Sequence, residues 1–422
     1  MRARPPRDGD PGLGRAYAAG MVQRRLPRPS ELAPLLRPAP FVRDAATRRL
    51  RRAASVADLR LIARRRTPRA VFDYCDGAAD GEQSLRRARE AFARVEFRPS
   101  VLHDVSTIDT SRDILGKRAA LPFAFAPTGF TRMMQTEGER AVASVAQEVG
   151  VPHTLSTMGT TTIEDLAASA PDARLWFQLY LWRDRSFGKD LVQRAAAAGY
   201  DTLMLTVDTP SGGARLRDVR NGLSIPPALT LKTFVDGALH PNWWFDLLTT
   251  EPLRFSSLAA GGTPEQLINK VFDPALTLDD VEWLRGTWPG KLVIKGVQSV
   301  DDALRVVDAG ADGVLLSNHG GRQLDRAPVP LELVEPTVQA LGGRAEVLVD
   351  TGITNGGDVV AAVALGASAA LVGRAYLYGL MAGGRAGVAK VAEILHADVV
   401  RTLQLLGVTS VDELGPQHVR LR

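Results

Sequence analysis

Short apolar runs, rich in β-branched and aromatic residues, recur at Pro122–Thr128, Pro152–Ser156, Leu175–Tyr180, Thr202–Asp208, Lys291–Gly296, Gly313–Ser317, Glu346–Gly352 and Ala369–Gly373. Alanine-rich amphipathic segments separate most of them, among them Glu137–Val149, Asp184–Ala198, Val300–Ala309 and Gly357–Leu365. Strand-length runs alternating with helical ones predict a parallel sheet with helical crossovers. Eight such units close into an α/β fold, the (β/α)8 TIM barrel. A doubly wound open sheet is the alternative, but no Gly-x-Gly-x-x-Gly occurs to form a nicotinamide Rossmann site. The polar residues add support. Thr128, Ser156, Gln178 with Tyr180, Thr206 with Asp208, Lys295, His319 and Asp350 all fall in or just beyond the C-terminal ends of the runs. That end is where barrel enzymes assemble their sites.

Before the first run, Ser55 with Asp58 three residues on reads as the capped start of a helix through Arg66. A second helical stretch, Pro68 to Cys75, carries Tyr74. Charged, mixed sequence then continues to Val105, as expected of a cap over one barrel mouth. The chain therefore divides into an N-terminal arm (1–52) and a catalytic domain (53–422), made of a cap (53–120) and a barrel (121–422). A long interruption after the fourth strand, Ser211 to Pro274, holds Phe234 and Asn242-Trp243-Trp244-Phe245. A segment of that length is usually a lid or a contact surface. Exposed Trp-Trp-Phe would suit a membrane interface. Packing of these aromatics on the barrel or a subunit neighbour is the competing expectation.

Composition narrows the class. The chain has 422 residues, 45% hydrophobic and 23% charged, enough to bury a large core. A single cysteine, Cys75, rules out an internal disulfide and a multi-cysteine zinc site, and fits a reducing cytoplasm. No stretch is uniformly apolar over the ~20 residues of a spanning helix. The net charge of +5 is uneven: residues 1–52 carry 13 Arg against Asp8, Asp10, Glu31 and Asp44, which leaves the remainder at −4. A basic arm on a mildly acidic body is not a nucleic-acid face. The arm reads as a disordered or surface-attached extension with affinity for anionic lipid. It lacks the apolar core of a secretory signal, its Arg-rich character is only faintly that of a transit peptide, and Met21 is an alternative start.

Chemistry concentrates in Ser317-Asn318-His319-Gly320-Gly321-Arg322-Gln323-Leu324-Asp325, which follows the apolar Gly313–Leu316. A strand ending there delivers an imidazole and a guanidinium to one glycine-permitted bend. The imidazole suits proton abstraction near neutral pH, and the guanidinium forks onto a carboxylate. Taken singly, a His beside Gly-Gly is more often a turn residue and an Arg a solvated charge. The whole string is far more specific. It resembles the signature of the FMN-dependent 2-hydroxy-acid dehydrogenase and oxidase family, and the resemblance extends from about Leu59 onward.

That resemblance implies roles for particular residues. His319 is the base, Asp208 orients the imidazole and stabilises its charged form, and Tyr180 hydrogen-bonds the substrate hydroxyl or developing carbonyl. Tyr74, Arg215 and Arg322 bind the substrate carboxylate, and Met158 faces the substrate side chain. Thr128, Ser156, Gln178, Thr206 and Lys295 line the flavin ring, with Lys295 compensating its reduced charge. Asp350, Gly352, Gly373 and Arg374 form the phosphate end. Whether hydrogen leaves as a proton or as hydride stays open. The sequence departs from the family around Arg215, where one arginine stands in place of a cluster. It departs again at Thr354, where glycolate oxidase carries an arginine that touches the flavin, a change expected to loosen FMN or tune electron transfer. Gly129, alanine in many oxidases, leans toward an acceptor other than oxygen.

The strings Thr67–Ala70, Ala214–Gly222 and Gly373–Gly384 most resemble the actinobacterial cytochrome- or quinone-linked L-lactate dehydrogenases of that family. The expectation is a cytoplasmic enzyme, peripheral on the membrane and homotetrameric, that oxidises L-lactate with FMN and passes electrons to a cytochrome or quinone. Competing expectations are an oxidase releasing hydrogen peroxide, a dehydrogenase for a larger acid such as mandelate, a silent flavin-binding scaffold, and a metal-dependent barrel. The scaffold is disfavoured by the intact set of site residues and the metal enzyme by six scattered histidines.

Overall fold

Three short strands precede the barrel: β1 (Val95–Phe97), β2 (Arg112–Ile114) and β3 (Lys117–Ala119). The eight apolar runs follow as β4 (Phe123–Phe125), β5 (His153–Ser156), β6 (Leu175–Leu179), β7 (Thr202–Thr206), β8 (Lys291–Val297), β9 (Gly313–Leu316), β10 (Glu346–Val349) and β11 (Ala369–Val372). In this computed structural model they pair in parallel and close in the order β10-β11-β4-β5-β6-β7-β8-β9, the expected (β/α)8 barrel. The structure describes residues 25–34, 44–222, 236, 238–254 and 273–422. Met21, Phe234 and most of the basic arm lie outside that set.

The two-residue period of a strand explains how the site is built. Ala124, Ala126, Trp176, Met204, Val293, Leu315, Leu348 and Leu371 belong to one buried cluster in the barrel interior. Two positions further along each strand, on the same face, come Thr128, Gln178, Thr206, Lys295, Ser317, Asp350 and Gly373. An apolar layer thus supports a polar one at the C-terminal mouth.

The opposite mouth is closed by the β2–β3 hairpin, whose Ile114, Leu115 and Ala119 join the interior cluster. Its two-residue turn, Leu115 and Gly116, has φ of 50° and 76°, the left-handed pair that a tight hairpin requires. Arg174, just before β6, donates to Ile114 O at 2.8 Å. Lys117 pairs with Asp201, just before β7, at 3.0 Å. Residues 112–119 therefore serve the end of the barrel away from the site.

The compact unit begins at Asp44. Its first helix, α1 (Ala45–Leu50), contributes Leu50, buried so closely against Gly383 that a Cβ there would lie 2.8 Å from Leu50 Cδ1. Helix α2 (Val56–Arg66) starts with the expected Ser55–Asp58 capping box. Helices α3 (Arg69–Asp76) and α4 (Gln83–Ala93) complete the cap over the C-terminal mouth. Ala79 N donates to Gly321 O at 2.8 Å and Ser84 N to Asp325 Oδ1 at 2.8 Å, so the cap is bonded directly to the His319 loop.

Beyond β4 come α5 (Thr131–Met134), α6 (Gly138–Val149), α7 (Ile163–Ser169), α8 (Arg185–Ala197) and, after β7, α9 (Leu216–Asn221) and α10 (Pro241–Thr249). The aromatics of α10 divide. Trp243 is 9% exposed, donates from Nε1 to Met133 O at 3.0 Å and meets Trp244 edge-on at 5.1 Å. Phe245 and Leu248 are 68% and 74% exposed. Exposure of the whole Trp-Trp-Phe run is therefore corrected to Phe245 alone, because the indole N–H finds a carbonyl only by turning onto the barrel.

The remaining crossovers are α11 (Leu278–Thr287), α12 (Val300–Asp308), α13 (Pro330–Leu341) and α14 (Gly356–Ala364). The chain then runs into α15 (Arg374–Leu406), broken at Gly383 and Gly384, and β12 (Val419–Leu421) pairs antiparallel with β1. Among the described residues no helix is long and apolar enough to cross a membrane.

Candidate active site

Beyond β9 the backbone turns through three consecutive left-handed residues, His319, Gly320 and Gly321, with φ of 60°, 67° and 74°. Glycine is required at 321, where a Cβ would lie 2.9 Å from Leu85 N. His319 bears the conformation at a steric cost, and such strain persists only where neighbours over-determine it. They do so here. His319 N donates to Ser317 Oγ at 3.0 Å, Gly321 N to Asn318 Oδ1 at 3.0 Å and Gly320 N to Thr351 Oγ1 at 3.1 Å. Thr351 itself has φ of 74°, unusual for a β-branched residue, and its hydroxyl also bonds Asn318 Oδ1 and Asp350 Oδ1.

His319 Nδ1 lies 3.1 Å from Asp208 Oδ1, and Nε2 lies 3.5 Å from Tyr180 Oη. Burial and then the Lys295 charge lower the imidazole pKa, outweighing the Asp208 carboxylate. Burial raises the Asp208 pKa, but His319 and Lys295 together bring it below the ordinary value. A neutral imidazole beside an ionised carboxylate is the protonation state a general base needs. Tyr180 is pushed up by burial and by Asp208, which keeps its hydroxyl protonated as a donor.

Two guanidiniums approach the Tyr74 ring, Arg322 at 4.8 Å and Arg215 at 5.9 Å from its centroid. Arg322 donates to Tyr74 O and to Gly77 O, and burial followed by the nearby Arg215 charge lowers its pKa to about 10. Among the described residues Arg215 Nε has no partner, and neither has Asp208 Oδ2. Two adjacent cations with an unused buried donor form an arrangement that an anion completes.

Lys295 is held by Ser317 Oγ at 3.0 Å, with Asp350 Oδ2 at 3.7 Å. Gln178 bridges the neighbouring strands, its Oε1 accepting from Ser156 Oγ and its Nε2 donating to Thr206 Oγ1, both at 2.9 Å. The surrounding cavity measures about 890 Å3. Tyr74, Thr128, Ser156, Met158, Tyr180, Arg215, Lys295, His319, Arg322, Asp350, Gly352, Gly373 and Arg374 all line it. Gln178 and Asp208 stand one step behind, bonded to Ser156 and His319 of the lining, and Thr206 stands behind Gln178.

Two arginines differ from simple expectation. Arg374 lines the cavity, but its guanidinium donates to Cys75 O at 3.0 Å and Gly77 O at 2.7 Å, joining α15 to the cap. Arg89 was not singled out from the sequence. It reaches from α4 to Gly352 O and to Asp358 Oδ2 at 2.6 Å, beside Thr354, whose N also donates to Asp358 at 2.8 Å. No local pattern announces this, since Arg89 and Asp358 are 269 positions apart.

A carboxylate-backed imidazole, paired guanidiniums and a fixed lysine thus surround one cavity at the mouth of a (β/α)8 barrel, an arrangement suited to taking a proton from an anionic substrate. Comparison with known proteins makes this specific: the model of the FMN-dependent dehydrogenase family matches residues 63–421, and the chain belongs to that family. It is 58% identical over 402 residues to a Mycobacterium tuberculosis protein named "Putative L-lactate dehydrogenase", covering 94% of this chain and 96% of the relative. It is 42% identical over 370 residues to an L-lactate dehydrogenase of Caulobacter vibrioides, covering 86% and 96%. Among solved structures it is similar to the monotopic membrane protein (S)-mandelate dehydrogenase, with a TM-score of 0.85 and 38% identity over 88% of this chain and 100% of that one.

The residues present fit FMN. The cavity exceeds what a small acid needs, glycines 352 and 373 lie on its wall, and Arg374 and Lys295 add positive charge to its lining.

Proposed function

We propose that this enzyme oxidises L-lactate to pyruvate and delivers the electrons to a cytochrome or quinone. Bound FMN supplies the two-electron acceptor. Arg215, Arg322 and Tyr74 bind the carboxylate and so fix the α-carbon relative to His319. His319 Nε2 takes the proton, either from the hydroxyl or from the α-carbon. Asp208 keeps the proton-bearing Nδ1 turned away from the substrate and stabilises the imidazolium, as a carboxylate does in hydrolase triads. Tyr180 donates to the substrate oxygen. Lys295, anchored by Ser317, would provide fixed positive charge to compensate the reduced flavin. Thr128 and Ser156 would contact the ring, with Gln178 and Thr206 behind them, while Asp350, Gly352, Gly373 and Arg374 would surround the phosphate.

The observation that carries this reading is the imidazole with Asp208 on one nitrogen and Tyr180 on the other, facing a guanidinium pair around Tyr74. The lactate assignment is supported by the names of the relatives and by the flexible Met158 on the cavity wall, which admits a methyl or somewhat larger group. The test is the visible spectrum of the purified protein under anaerobic conditions. Flavin bands should bleach with L-lactate, and should not bleach in His319→Gln. Subsequent oxygen should restore the bands far more slowly than turnover; restoration at turnover rates would make the enzyme an oxidase.

We also infer a homotetramer, following the family resemblance, and peripheral membrane contact through the exposed Leu239, Phe245 and Leu248 at α10. Sedimentation of the holoenzyme tests the first, and vesicle binding tests the second.

A further inference from the structure

The carboxylate clamp has a mechanical problem. Arg215 and Arg322 approach the same Tyr74 ring, so their charges repel while no anion lies between them. Arg322 is tied down by Tyr74 O and Gly77 O. Arg215 is not, because its Nε lacks a partner among the described residues. Something else must hold its segment in place.

Two residues on, Arg217 has the opposite surroundings. Its Nη1 bonds Asp76 Oδ2 at 3.0 Å and Asp73 Oδ1 at 3.4 Å, and its Nη2 bonds Glu82. Asp73 and Asp76 flank Tyr74 on α3, one residue before it and two after. The Asp76 side chain is 5% exposed and also receives Arg60 Nη2 and Tyr378 Oη, each at 2.8 Å. Asn221, at the far end of α9, donates to Asp73 Oδ2 at 2.8 Å, and Asp80 N donates to Ala214 O at 2.8 Å. Gly77 makes the approach possible: a Cβ there would lie 2.7 Å from Asp73 O and 3.1 Å from Arg217 Cδ. The segment carrying Arg215 is thus riveted to the helix carrying Tyr74 on both sides of the ring.

We propose that Arg217 and Asp76 are positioning residues that hold Arg215 and Tyr74 at the spacing of a substrate carboxylate, so the clamp stands preformed against the repulsion of Arg322. This deepens the proposed function and rests on Arg215 and Tyr74 binding that carboxylate. Preformed donors spare the enzyme the ordering cost on binding. Loss of the rivet should therefore appear in substrate affinity more than in the chemical step.

The test uses FMN-loaded Arg217→Met, Arg217→Lys, Asp76→Asn and Arg215→Met enzymes, with flavin content and spectrum verifying that each is assembled. Kinetics with L-lactate are read alongside binding of oxalate, an unreactive dicarboxylate, followed by flavin absorbance. Arg217→Met and Asp76→Asn should each raise KM and the oxalate Kd about tenfold with kcat changed by less than about threefold, and Arg217→Lys should recover part of the loss. In an Arg215→Met background, Arg217→Met should add little, because there is no longer a side chain to position. An unchanged oxalate Kd in Arg217→Met, or the same loss with Arg215 already removed, overturns the proposal. Should Arg217→Met fail to retain FMN, Arg217→Lys and Asp76→Asn are read by the same criteria. If Arg215→Met itself leaves oxalate binding unchanged, the carboxylate reading of Arg215 fails instead.

Discussion

Asp208 and His319, 111 positions apart, meet at 3.1 Å through Oδ1 and Nδ1, with the carboxylate side chain only 2% exposed. The bond determines which imidazole nitrogen is free, and it leaves Nε2 toward Tyr180 and the cavity. A base presented this way is oriented before any substrate enters.

Removing that base is the most direct check. His319→Gln should lower kcat by at least about a hundredfold while FMN remains bound. Asp208→Asn should retain the ring but lose the stabilisation of its charged form, with a decrease of similar order. Stopped-flow reduction of the flavin by L-lactate measures both.

The pH profile carries a sign. Burial and Lys295 depress the His319 pKa, so the neutral base persists below the ordinary imidazole value of 6.5. The rate kcat/KM should be level around neutrality and should decline only as pH falls through the depressed pKa. An acid limb centred above about 6.5 would contradict the electrostatics of the site.

Met158 should set the size limit of the substrate. Met158→Ala is expected to raise kcat/KM for a phenyl-bearing 2-hydroxy acid relative to L-lactate by about tenfold, the scale of a few apolar contacts. Gly129→Ala should act in the opposite sense, because its Cβ would lie 2.9 Å from Met158 Cβ and push that residue inward. A two-substrate panel decides both.

A stability effect is expected far from the chemistry. His153 is buried at the start of β5, neither ring nitrogen has a partner among the described residues, and burial pushes its pKa down to about 3. The unfolded chain takes up a proton below about 6.5, whereas the folded one does not until about 3. The folded state therefore loses stability as pH falls below about 6.5, by about 2 kcal/mol at pH 5. His153→Leu should remove that loss, raising the urea midpoint at pH 5 far more than at pH 8.

Membrane contact has a surface-specific test. Flotation with anionic vesicles should be lost in Phe245→Glu with Leu248→Glu, whose side chains are exposed. Trp243→Phe should instead leave flotation intact and lower thermal stability, since that indole bonds Met133 O. Flotation that survives loss of both exposed residues would remove α10 as the contact.

Much of this was legible in the sequence for a simple reason. Trp176 and Gln178, Met204 and Thr206, and Val293 and Lys295 each obey the two-residue period, so strand, interior face and polar end are written within a few letters. The His319 bend was likewise local. What stayed hidden depends on pairings that only the closed fold creates. Arg89 reaches Asp358 across 269 positions and Arg217 reaches Asp76 across 141, and each looks alone like one more surface arginine. The hairpin at Arg112–Ala119 was hidden differently, because its composition does not say which mouth of the barrel it will close. Trp243 was ambiguous because an indole serves a lipid headgroup layer and a backbone carbonyl equally well.

The two stacked interior layers have an implication for engineering. Fold-holding and reaction-setting side chains occupy alternate registers of the same short strands, one directly above the other. Libraries confined to the upper register, such as Gln178, Thr206 and Lys295, can explore new reactivity while Trp176, Met204 and Val293 stay untouched beneath them. Catalytic variation and thermal robustness then become separately adjustable properties of one scaffold.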